Sequence, residues 1–420
     1  MTNKKNAVVR FSAQAETNAT VYLTGSKSES NRALVISALS QGAVSVDNLS
    51  DAADTVTLNR ILGDLKDTRS AVQLVDVGHA GTAMRFLTAF LSTRTGSFEL
   101  TGSKRMQERP IKLLTEALNT LGAKIQYKAE HGYPPLLIQG GFEQKTRQVS
   151  IKGDVSSQYI SALLIIAPTL KSGLSLHIEG HLTSEPYVRM TLKMLEEAGI
   201  KHSWNGNVIE IEHQEFKEAM LIVEPDWSAA SYWYSIVGLL ENASIELPYL
   251  KGNSLQGDSR IESIMRSLGV ETQRTDRGIK LYSAPLTISE EEILDLNDCP
   301  DLAQTIIVCA AAKGLNLKFT GLETLKIKET NRVQALKNEL AKIGVALLED
   351  SLIYTLDCSK LKFPQQVTFE TYDDHRMAMA FAPLSILIRE VEIQDYQVVE
   401  KSYPDFWKDL DKAGFRTTEL

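Results

Sequence analysis

A short phrase recurs six times along the chain: the end of an amphipathic helix, a glycine, and then a strand-like run. The glycines of this phrase are Gly63, Gly122, Gly199, Gly269, Gly344 and Gly414. One unit therefore occurs roughly every 70 residues, as in repeat architectures. Glycine suits this place because the residue that closes a helix often adopts a left-handed conformation. Six unrelated helix–strand junctions are the alternative to a true repeat.

The length of the chain, 420 residues, exceeds what one hydrophobic core usually fills. Six α/β units in two domains give three units per domain, and we expect helices inside and sheets facing outward. Pro225, between the third and fourth units, favours a chain crossing there.

Composition excludes several classes of protein. The net charge of −8 argues against DNA or RNA as the main partner, because such binding needs a broad basic face. We see neither a signal peptide nor a membrane span, and therefore expect a cytoplasmic protein with no membrane partner. Cys299, Cys309 and Cys358 have no disulfide or metal spacing, which predicts reduced, structural thiols.

The first candidate anion site follows Gly25. Ser28 and Arg32 are four residues apart on one face of the first turn of a predicted helix, and Lys27 lies just before that turn. A helix N-terminus with cations beside it favours an anion. A serine that merely caps the helix is the alternative.

Two further segments combine glycines, cations and polar groups. Gly81 lies in a glycine-rich turn that leads into a helix, and Arg85 lies one turn into that helix. Arg109 precedes a proline at another helix start. Ser156-Ser157-Gln158 precedes an apolar helix. Solvated surface charge is the alternative for the arginines.

The second half of the chain carries acids among cations. Lys328 and Glu329 precede Arg332 by four and three residues on a predicted helix, where an ion-paired surface is the alternative. Asp374-His375-Arg376 heads an apolar helix, and Pro300-Asp301 and Lys401 complete the set. We find no phosphate-binding loop, dinucleotide fingerprint or metal motif, and expect neither a cofactor nor a metal.

Taken together, these motifs resemble the 5-enolpyruvylshikimate-3-phosphate (EPSP) synthase family from about Val21 to Trp407. The motifs that carry the resemblance are Gly25-Ser-Lys27-Ser28 with Arg32, Ala80-Gly81-Thr82-Ala-Met-Arg85, Glu108-Arg109-Pro110, Ser156-Ser157-Gln158, Pro300-Asp301, Lys328-Glu329-Thr330 with Arg332, and Asp374-His375-Arg376-Met377-Ala378-Met379.

The resemblance implies the enolpyruvyl transferase fold, an α/β fold of two similar domains, each of three βαβαββ-like repeats, with the active site in a cleft. Residues 1–24 and 225–420 would form one discontinuous domain, and residues 25–224 the other. The implied reaction transfers the enolpyruvyl group of phosphoenolpyruvate to the 5-hydroxyl of shikimate 3-phosphate and releases phosphate, in aromatic amino acid biosynthesis. We expect a monomer whose partners are these two small molecules.

The resemblance also assigns residues. Shikimate 3-phosphate would be bound by Lys27, Ser28, Arg32, Ser156, Ser157, Ser184, Tyr187, Asp301 and Lys328. Phosphoenolpyruvate would be bound by Lys27, Gly81, Arg109, Gln158, Arg332, Arg376 and Lys401. Asp301 is the candidate base, and Glu329 with Lys27 would move the methylene proton. The roles of Asp226 and His375 stay open.

The chain departs from the family pattern at five positions, which are His79, Phe86, Thr324, Lys326 and Asn331. Because these residues differ, the resemblance does not define the shape of the phosphoenolpyruvate pocket. Two other functions are alternatives. A UDP-N-acetylglucosamine enolpyruvyl transferase typically has a cysteine in its first half, whereas all three cysteines here follow residue 298. A catalytically inactive binding protein would have lost the acid–base residues, but Asp301 and Glu329 are present.

Overall fold

The computed structural model describes residues 4–12, 17–66, 71–154, 156–289 and 292–420. The chain divides into two compact units. Unit 1 comprises Met1–Thr24 and Glu224–Leu420, and unit 2 comprises Gly25–Val223. Unit 1 is therefore discontinuous, with unit 2 inserted in its sequence.

Both units alternate helices with short strands. The strands are β1 (Ala7–Phe11), β2 (Thr17–Thr20), β3 (Val44–Asp47), β4 (Val72–Asp76), β5 (Ser97–Thr101), β6 (Lys124–Tyr127), β7 (Leu136–Gln139), β8 (Gln148–Lys152), β9 (Leu174–Glu179), β10 (Ser203–Asn205), β11 (Val208–Ile211), β12 (Ala219–Ile222), β13 (Ala243–Pro248), β14 (Val270–Thr275), β15 (Gly278–Ser283), β16 (Ile293–Asp295), β17 (Lys318–Thr320), β18 (Ala346–Asp350), β19 (Ile353–Asp357), β20 (Gln366–Phe369), β21 (Glu390–Ile393) and β22 (Phe415–Glu419).

The α-helices are α1 (Lys27–Leu39), α2 (Ala53–Asp64), α3 (Gly81–Thr93), α4 (Lys104–Gln107), α5 (Lys112–Leu121), α6 (Ser157–Ile166), α7 (Glu185–Glu197), α8 (Trp227–Leu239), α9 (Ile261–Ser267), α10 (Ala303–Ala312), α11 (Arg332–Ala341), α12 (His375–Phe381) and α13 (Phe406–Lys412). Short 3-10 helices occupy Ala167–Thr169, Gly257–Arg260, Pro300–Leu302, Glu323–Ile327, Ala382–Ile386 and Tyr396–Lys401.

Unit 2 contains three sheets among its described residues, in the strand orders β4-β5-β7-β6, β10-β11-β9-β8 and β12-β3. The two larger sheets share one pattern. A parallel pair, β4 with β5 or β8 with β9, continues into antiparallel strands. In the third sheet, β3 pairs in parallel with β12, so the first and last strands of this unit lie side by side.

Unit 1 repeats the pattern in three four-stranded sheets across its described residues, in the strand orders β14-β15-β13-β2, β16-β17-β19-β18 and β20-β21-β1-β22. Each sheet again has one parallel pair: β2 with β13, β16 with β17, and β20 with β21. The first segment of the chain supplies strands to two of these sheets, so it is an integral part of unit 1.

Buried helices form the core of each unit, as the apolar runs in the sequence predict. In unit 2, α3 packs against α6, and α6 against α7. In unit 1, α8 and α12 pack against α10, whose residues are all buried. The sheets alternate buried and exposed side chains, as in β9, so each sheet covers the helices with one face.

The glycine of the repeated phrase closes a helix in the left-handed conformation at five of the six positions. The φ angle is +119° at Gly122, and Gly199, Gly269, Gly344 and Gly414 are also left-handed. The prediction is wrong for Gly63, which lies inside α2 one residue before its end. Leu65, the residue that follows the helix, is in an extended conformation, which needs no glycine.

Among the described residues, every helix is too short or too polar to cross a membrane. The three cysteines are free and buried, as predicted.

Candidate active site

In unit 1, the Arg332 guanidinium lies among three carboxylates. Arg332 is 2% exposed. Its Nε donates to Asp374 Oδ2 at 2.6 Å, its Nη1 to Asp301 Oδ1 at 3.0 Å and its Nη2 to Glu329 Oε2 at 2.8 Å. The side chain therefore joins both sequence-predicted acid–base residues, Asp301 and Glu329, to a fully buried aspartate.

Lys328 and Glu329 do not belong to a helix, which corrects the sequence prediction. A 3-10 helix ends at Ile327, and α11 begins only at Arg332. Asn331 caps α11 by accepting a hydrogen bond from the Gln334 backbone N–H at 3.1 Å. The residues between the two helices turn Glu329 back toward Arg332.

Asp301 is in contact with three cations. Arg332 contacts its Oδ1, Lys328 Nζ lies 3.5 Å from the same oxygen, and Arg376 Nη2 lies 3.1 Å from Oδ2. Burial raises the pKa of the Asp301 carboxyl, but the charges of Arg376, Lys328 and Arg332 outweigh burial and hold the pKa well below its usual range. Asp301 is therefore ionised at any working pH.

Arg376 and its neighbours begin the buried helix α12. Asp374 caps this helix by accepting a hydrogen bond from the Arg376 backbone N–H at 2.9 Å. The two residues before Asp374 are both left-handed although neither is glycine, with φ angles of 54° at Tyr372 and 55° at Asp373. Lys401 Nζ donates to the Asp373 carbonyl at 2.6 Å, so Lys401 lies beside the cluster without touching its carboxylates.

In unit 2, Gly81, Arg109 and Gln158 come together at the start of α3. A Cβ added at Gly81 would lie 2.6 Å from Arg109 Nη1, and Gln158 Nε2 donates to Thr82 Oγ1 at 3.2 Å. Arg109 is 7% exposed. The absence of a side chain at Gly81 therefore leaves the space that the Arg109 guanidinium occupies.

Two buried side chains hold the segment after Arg109 in place. The Pro110 carbonyl accepts hydrogen bonds from Tyr159 Oη at 2.5 Å and from Arg85 Nη2 at 3.1 Å. Arg85 also donates to the Gly81 carbonyl at 3.1 Å. Arg85 thus braces both sides of the Gly81–Arg109 contact.

Arg32 is deeply buried and anchors helices of unit 2. Its Nε donates to Thr191 Oγ1 at 2.8 Å, its Nη1 to the Ser28 carbonyl at 2.8 Å, and its Nη2 to Ser161 Oγ at 3.1 Å and the Tyr187 carbonyl at 3.2 Å. Burial lowers the pKa of Arg32 to about 10. These bonds use most of its donors, and a role for Arg32 in binding shikimate 3-phosphate stays a prediction.

The other predicted residues of unit 2 lie at helix starts. Lys27 is the first residue of α1, with its Nζ 3.5 Å from Asp54 Oδ2. Ser156 caps α6, and Ser157 is the first residue of that helix. Ser184 precedes α7 in a left-handed conformation, φ 56°, and Tyr187 lies in the first turn of α7.

Four of the five departures from the family pattern make an identified local contact. The Phe86 ring is 1% exposed and lies 5.4 Å from the Arg32 guanidinium carbon, and His79 Nδ1 lies 3.2 Å from Ser103 Oγ. Lys326 pairs with Glu349 at 2.6 Å and Asn331 caps α11, whereas the described residues offer the Thr324 hydroxyl no hydrogen-bond partner.

The charged groups around Arg332 and Asp301 form what we call the unit 1 cluster. Two buried acids in or beside this cluster are not identified as site residues by the sequence. The sequence marks Asp374 only as part of a motif, although its position before an apolar helix is typical of an N-cap. Asp258 follows Gly257 in a short 3-10 helix and is 2% exposed. No local pattern marks it, because its neighbours come from distant parts of the chain.

The arrangement of helices and sheets matches solved structures. An EPSP synthase from Acinetobacter baumannii superposes with a TM-score of 0.76 at 20% sequence identity, covering 98% of this chain and 100% of that one. An enolpyruvyl transferase from Streptomyces tendae superposes with a TM-score of 0.72 at 13% identity, covering 100% and 99%. The chain therefore has the enolpyruvyl transferase fold, as the sequence predicted.

Sequence comparison identifies the family. The sequence model of EPSP synthase (3-phosphoshikimate 1-carboxyvinyltransferase) matches residues 11–410. A 3-phosphoshikimate 1-carboxyvinyltransferase of Bacteroides fragilis is 45% identical over 407 residues, covering 96% of this chain and 97% of the relative. One of Paraburkholderia phytofirmans is 34% identical over 415 residues, covering 93% and 95%. The chain belongs to the EPSP synthase family, which confirms the resemblance seen in the sequence.

Proposed function

We propose that this chain transfers the enolpyruvyl group of phosphoenolpyruvate to the 5-hydroxyl of shikimate 3-phosphate and releases phosphate. The observation that carries the proposal is the unit 1 cluster. Two acids with candidate proton-transfer roles, Asp301 and Glu329, both contact the Arg332 guanidinium, with Lys328 and Arg376 beside Asp301. Because the chain belongs to the EPSP synthase family, we assign to this cluster the enolpyruvyl transfer that gives the family its name.

The cations of the cluster are suited to bind the anionic groups of both substrates. Arginine matches the planar geometry of carboxylate and phosphate oxygens, and lysine supplies a compact charge. Arg332, Arg376 and Lys401 would bind phosphoenolpyruvate, and Lys328 would bind shikimate 3-phosphate. In unit 1 the protein's own carboxylates contact Arg332, Arg376 and Lys328, and the substrates would compete for these cations.

This competition explains how Asp301 can act as a base. A carboxylate in contact with three cations is a weak proton acceptor. When substrate anions draw Lys328 away and take up part of the charge of Arg376, the pKa of Asp301 rises toward its usual range. Asp301 can then accept the proton of the 5-hydroxyl as this oxygen attacks the enolpyruvyl double bond.

The methylene carbon of phosphoenolpyruvate must gain a proton and later lose one. We assign these transfers to Glu329 and Lys27. Loss of phosphate from the tetrahedral intermediate then leaves the enolpyruvyl group on the 5-oxygen. Gly81, Arg109 and Gln158 would bind phosphoenolpyruvate, and Ser28, Arg32, Ser156, Ser157, Ser184 and Tyr187 would bind shikimate 3-phosphate together with Lys27, Asp301 and Lys328.

Phosphate release with both substrates tests the function. We expect release only when phosphoenolpyruvate and shikimate 3-phosphate are present together, and none when UDP-N-acetylglucosamine replaces the acceptor. Release with UDP-N-acetylglucosamine alone as acceptor would favour the related transferase. Binding of both substrates by folded protein without turnover would indicate an inactive binding protein. We further propose that the protein is a cytoplasmic monomer. Sedimentation at assay concentration tests the oligomeric state.

Replacing Gly81 with Ala tests the phosphoenolpyruvate assignment. The new Cβ would lie 2.6 Å from Arg109 Nη1 and displace the guanidinium. Because a small misplacement of a binding group is costly, we expect KM for phosphoenolpyruvate to rise about 10-fold or more, with KM for shikimate 3-phosphate changed far less.

Gly63 provides the matched control for that variant. It lies in α2, and a Cβ there would meet no atom within 4 Å. Gly63→Ala should leave both KM values unchanged and should stabilise the helix by about 0.5–1 kcal/mol. If Gly81→Ala and wild type had the same KM for phosphoenolpyruvate, the assignment of Arg109 to the phosphoenolpyruvate site would be wrong.

A further inference from the structure

One buried acid of unit 1 has no role in the reaction described so far. Asp258 lies in the 3-10 helix Gly257–Arg260, before α9, and its side chain is in hydrogen-bond contact with Ser228 Oγ in the first turn of α8. Arg376 Nη2 donates to the same Ser228 oxygen at 3.2 Å. The Ser228 hydroxyl therefore bridges a buried carboxylate and a predicted substrate-binding arginine.

The bridge continues to the candidate base. Arg376 Nη1 donates to the Asp301 carbonyl at 3.0 Å, and its Nη2 lies 3.1 Å from Asp301 Oδ2. Ser228 and Asp301 thus hold the guanidinium from two sides. A planar guanidinium that donates to fixed acceptors on both sides has little freedom to rotate.

The loop that carries Asp258 is itself fixed against α8. The Gln256 side chain is 5% exposed, and its Oε1 accepts from the Trp227 backbone N–H at 2.8 Å while its Nε2 donates to the Pro225 carbonyl at 2.9 Å. Close by, Glu224 accepts hydrogen bonds from Trp227 Nε1 at 2.8 Å and the Lys251 backbone N–H at 2.7 Å. These buried contacts set the distance between Asp258 and the start of α8.

We propose that Asp258, acting through Ser228, is a positioning residue that holds the Arg376 guanidinium and tunes the basicity of Asp301. This inference rests on the proposed function. An ionised Asp258 shares the charge of Arg376, and so weakens the effect of Arg376 on Asp301. A neutral side chain of the same shape could keep the contact with Ser228 but would not share that charge.

Electrostatics support this role. Burial, and then repulsion by the Asp301 carboxylate, raise the pKa of Asp258 to about 6, while Arg376 opposes the increase. The other titratable groups that act on this region are Asp226 at the start of α8 and the Cys299 thiol, whose own pKa is raised by burial and by Asp258. Arg260 pairs with Asp298, and Glu262 of α9 with Arg274.

Asp258→Asn tests the proposal, with kcat measured from pH 5 to 8. At pH 7.5 we expect kcat to fall about 10-fold, because Arg376 then acts fully on Asp301. Wild-type Asp258 becomes neutral as the pH falls through about 6, so the ratio of wild-type to variant kcat should fall toward one. The ratio cancels the ionisation of the substrates' phosphates, which affects both proteins equally.

Asp409→Asn is the matched control. Asp409 is also buried in unit 1, 3% exposed, where it accepts from Tyr403 Oη at 2.8 Å and Lys412 Nζ at 2.6 Å. It has no contact with Arg376 among those described, so the ratio of wild-type to Asp409→Asn kcat should not change with pH. A pH-independent ratio for Asp258→Asn as well would reduce Asp258 to a structural role and overturn the proposal.

Stability gives a second readout. Because the folded-state pKa of Asp258 is raised, ionising it disfavours the folded protein as the pH rises from about 4 to 6. The Tm of Asp258→Asn relative to wild type should therefore increase over this range. An unchanged Tm difference would contradict the buried, titrating carboxyl on which the proposal depends.

Ser228→Ala decides the question if Asp258→Asn fails to fold. It removes only the bridging hydroxyl, and kcat at pH 7.5 should fall several-fold. KM for phosphoenolpyruvate should rise because Arg376 loses a fixed contact, whereas KM for shikimate 3-phosphate should change little. A folded Ser228→Ala within twofold of wild type would overturn the proposal. An inactive wild-type protein would instead refute the function on which the proposal rests, so the two failures are distinguishable.

Discussion

Asp301→Asn is expected to lower kcat by about 10²–10⁴-fold, the range typical of losing a general base. The amide keeps the size of the side chain but cannot accept the proton of the attacking hydroxyl. Because Lys328 and Arg332 both contact Asp301 Oδ1, substrate affinity should change as well, but by much less than kcat. Steady-state kinetics with both substrates, on protein whose folding is checked by circular dichroism, measures the effect.

Asp298→Asn controls for the loss of a nearby charge. Asp298 lies three residues before Asp301, is about half exposed, and pairs with Arg260 at 3.7 Å. Its kcat should equal that of wild type. If Asp301→Asn also turned over within a few-fold of wild type, another group would have to be the base, and Glu329→Gln would be the next variant to assay.

Arg332→Met is expected to destabilise unit 1 strongly. Methionine retains much of the volume but leaves Asp374, which is 0% exposed, without the charge that compensates it. Removing one partner of a buried ion pair typically costs about 3–5 kcal/mol. Urea unfolding should show this loss as a lower midpoint, and the folded fraction should bind phosphoenolpyruvate poorly.

Arg274→Met is the matched control for this substitution. Arg274 belongs to the same unit, its side chain is 43% exposed, and it pairs with Glu262. An exposed pair contributes about 0–1 kcal/mol, so this variant should unfold close to wild type. Equal midpoints for the two variants would mean that the Arg332 cluster contributes no more than a surface pair.

Much of the fold could be predicted from sequence because its determinants are local. Apolar runs such as 157–166 and 303–312 predict buried helices, and Gly122 and its counterparts mark helix ends by a conformation that other residues resist. Local patterns do not predict the structure correctly where residues at helical spacing can lie either in a helix or before its cap. Lys328, Glu329 and Arg332 have helical spacing, but Asn331 caps the helix and excludes the first two from it.

The remaining contacts could not be predicted from sequence, because the partners of these side chains come from distant parts of the chain. The sequence identifies Arg32 as a cation near a helix start, but its acceptors Ser161 and Thr191 lie more than 120 residues away. No local pattern marks Asp258, because Ser228 and Arg376, which the fold brings together with it, belong to the distant helices α8 and α12. Resemblance to a family indicates which residues could bind the substrates, whereas the fold determines which of their donors are already in use.

Isotope labelling shows whether the enolpyruvyl group is transferred by addition and elimination. The reaction would be run in D₂O with phosphoenolpyruvate carrying ¹⁸O in the bridging oxygen and with shikimate 3-phosphate as acceptor. We expect the ¹⁸O to leave in inorganic phosphate and deuterium to enter the vinyl group of the product. Retention of ¹⁸O on the carbon skeleton, or a vinyl group free of deuterium, would contradict transfer by addition and elimination.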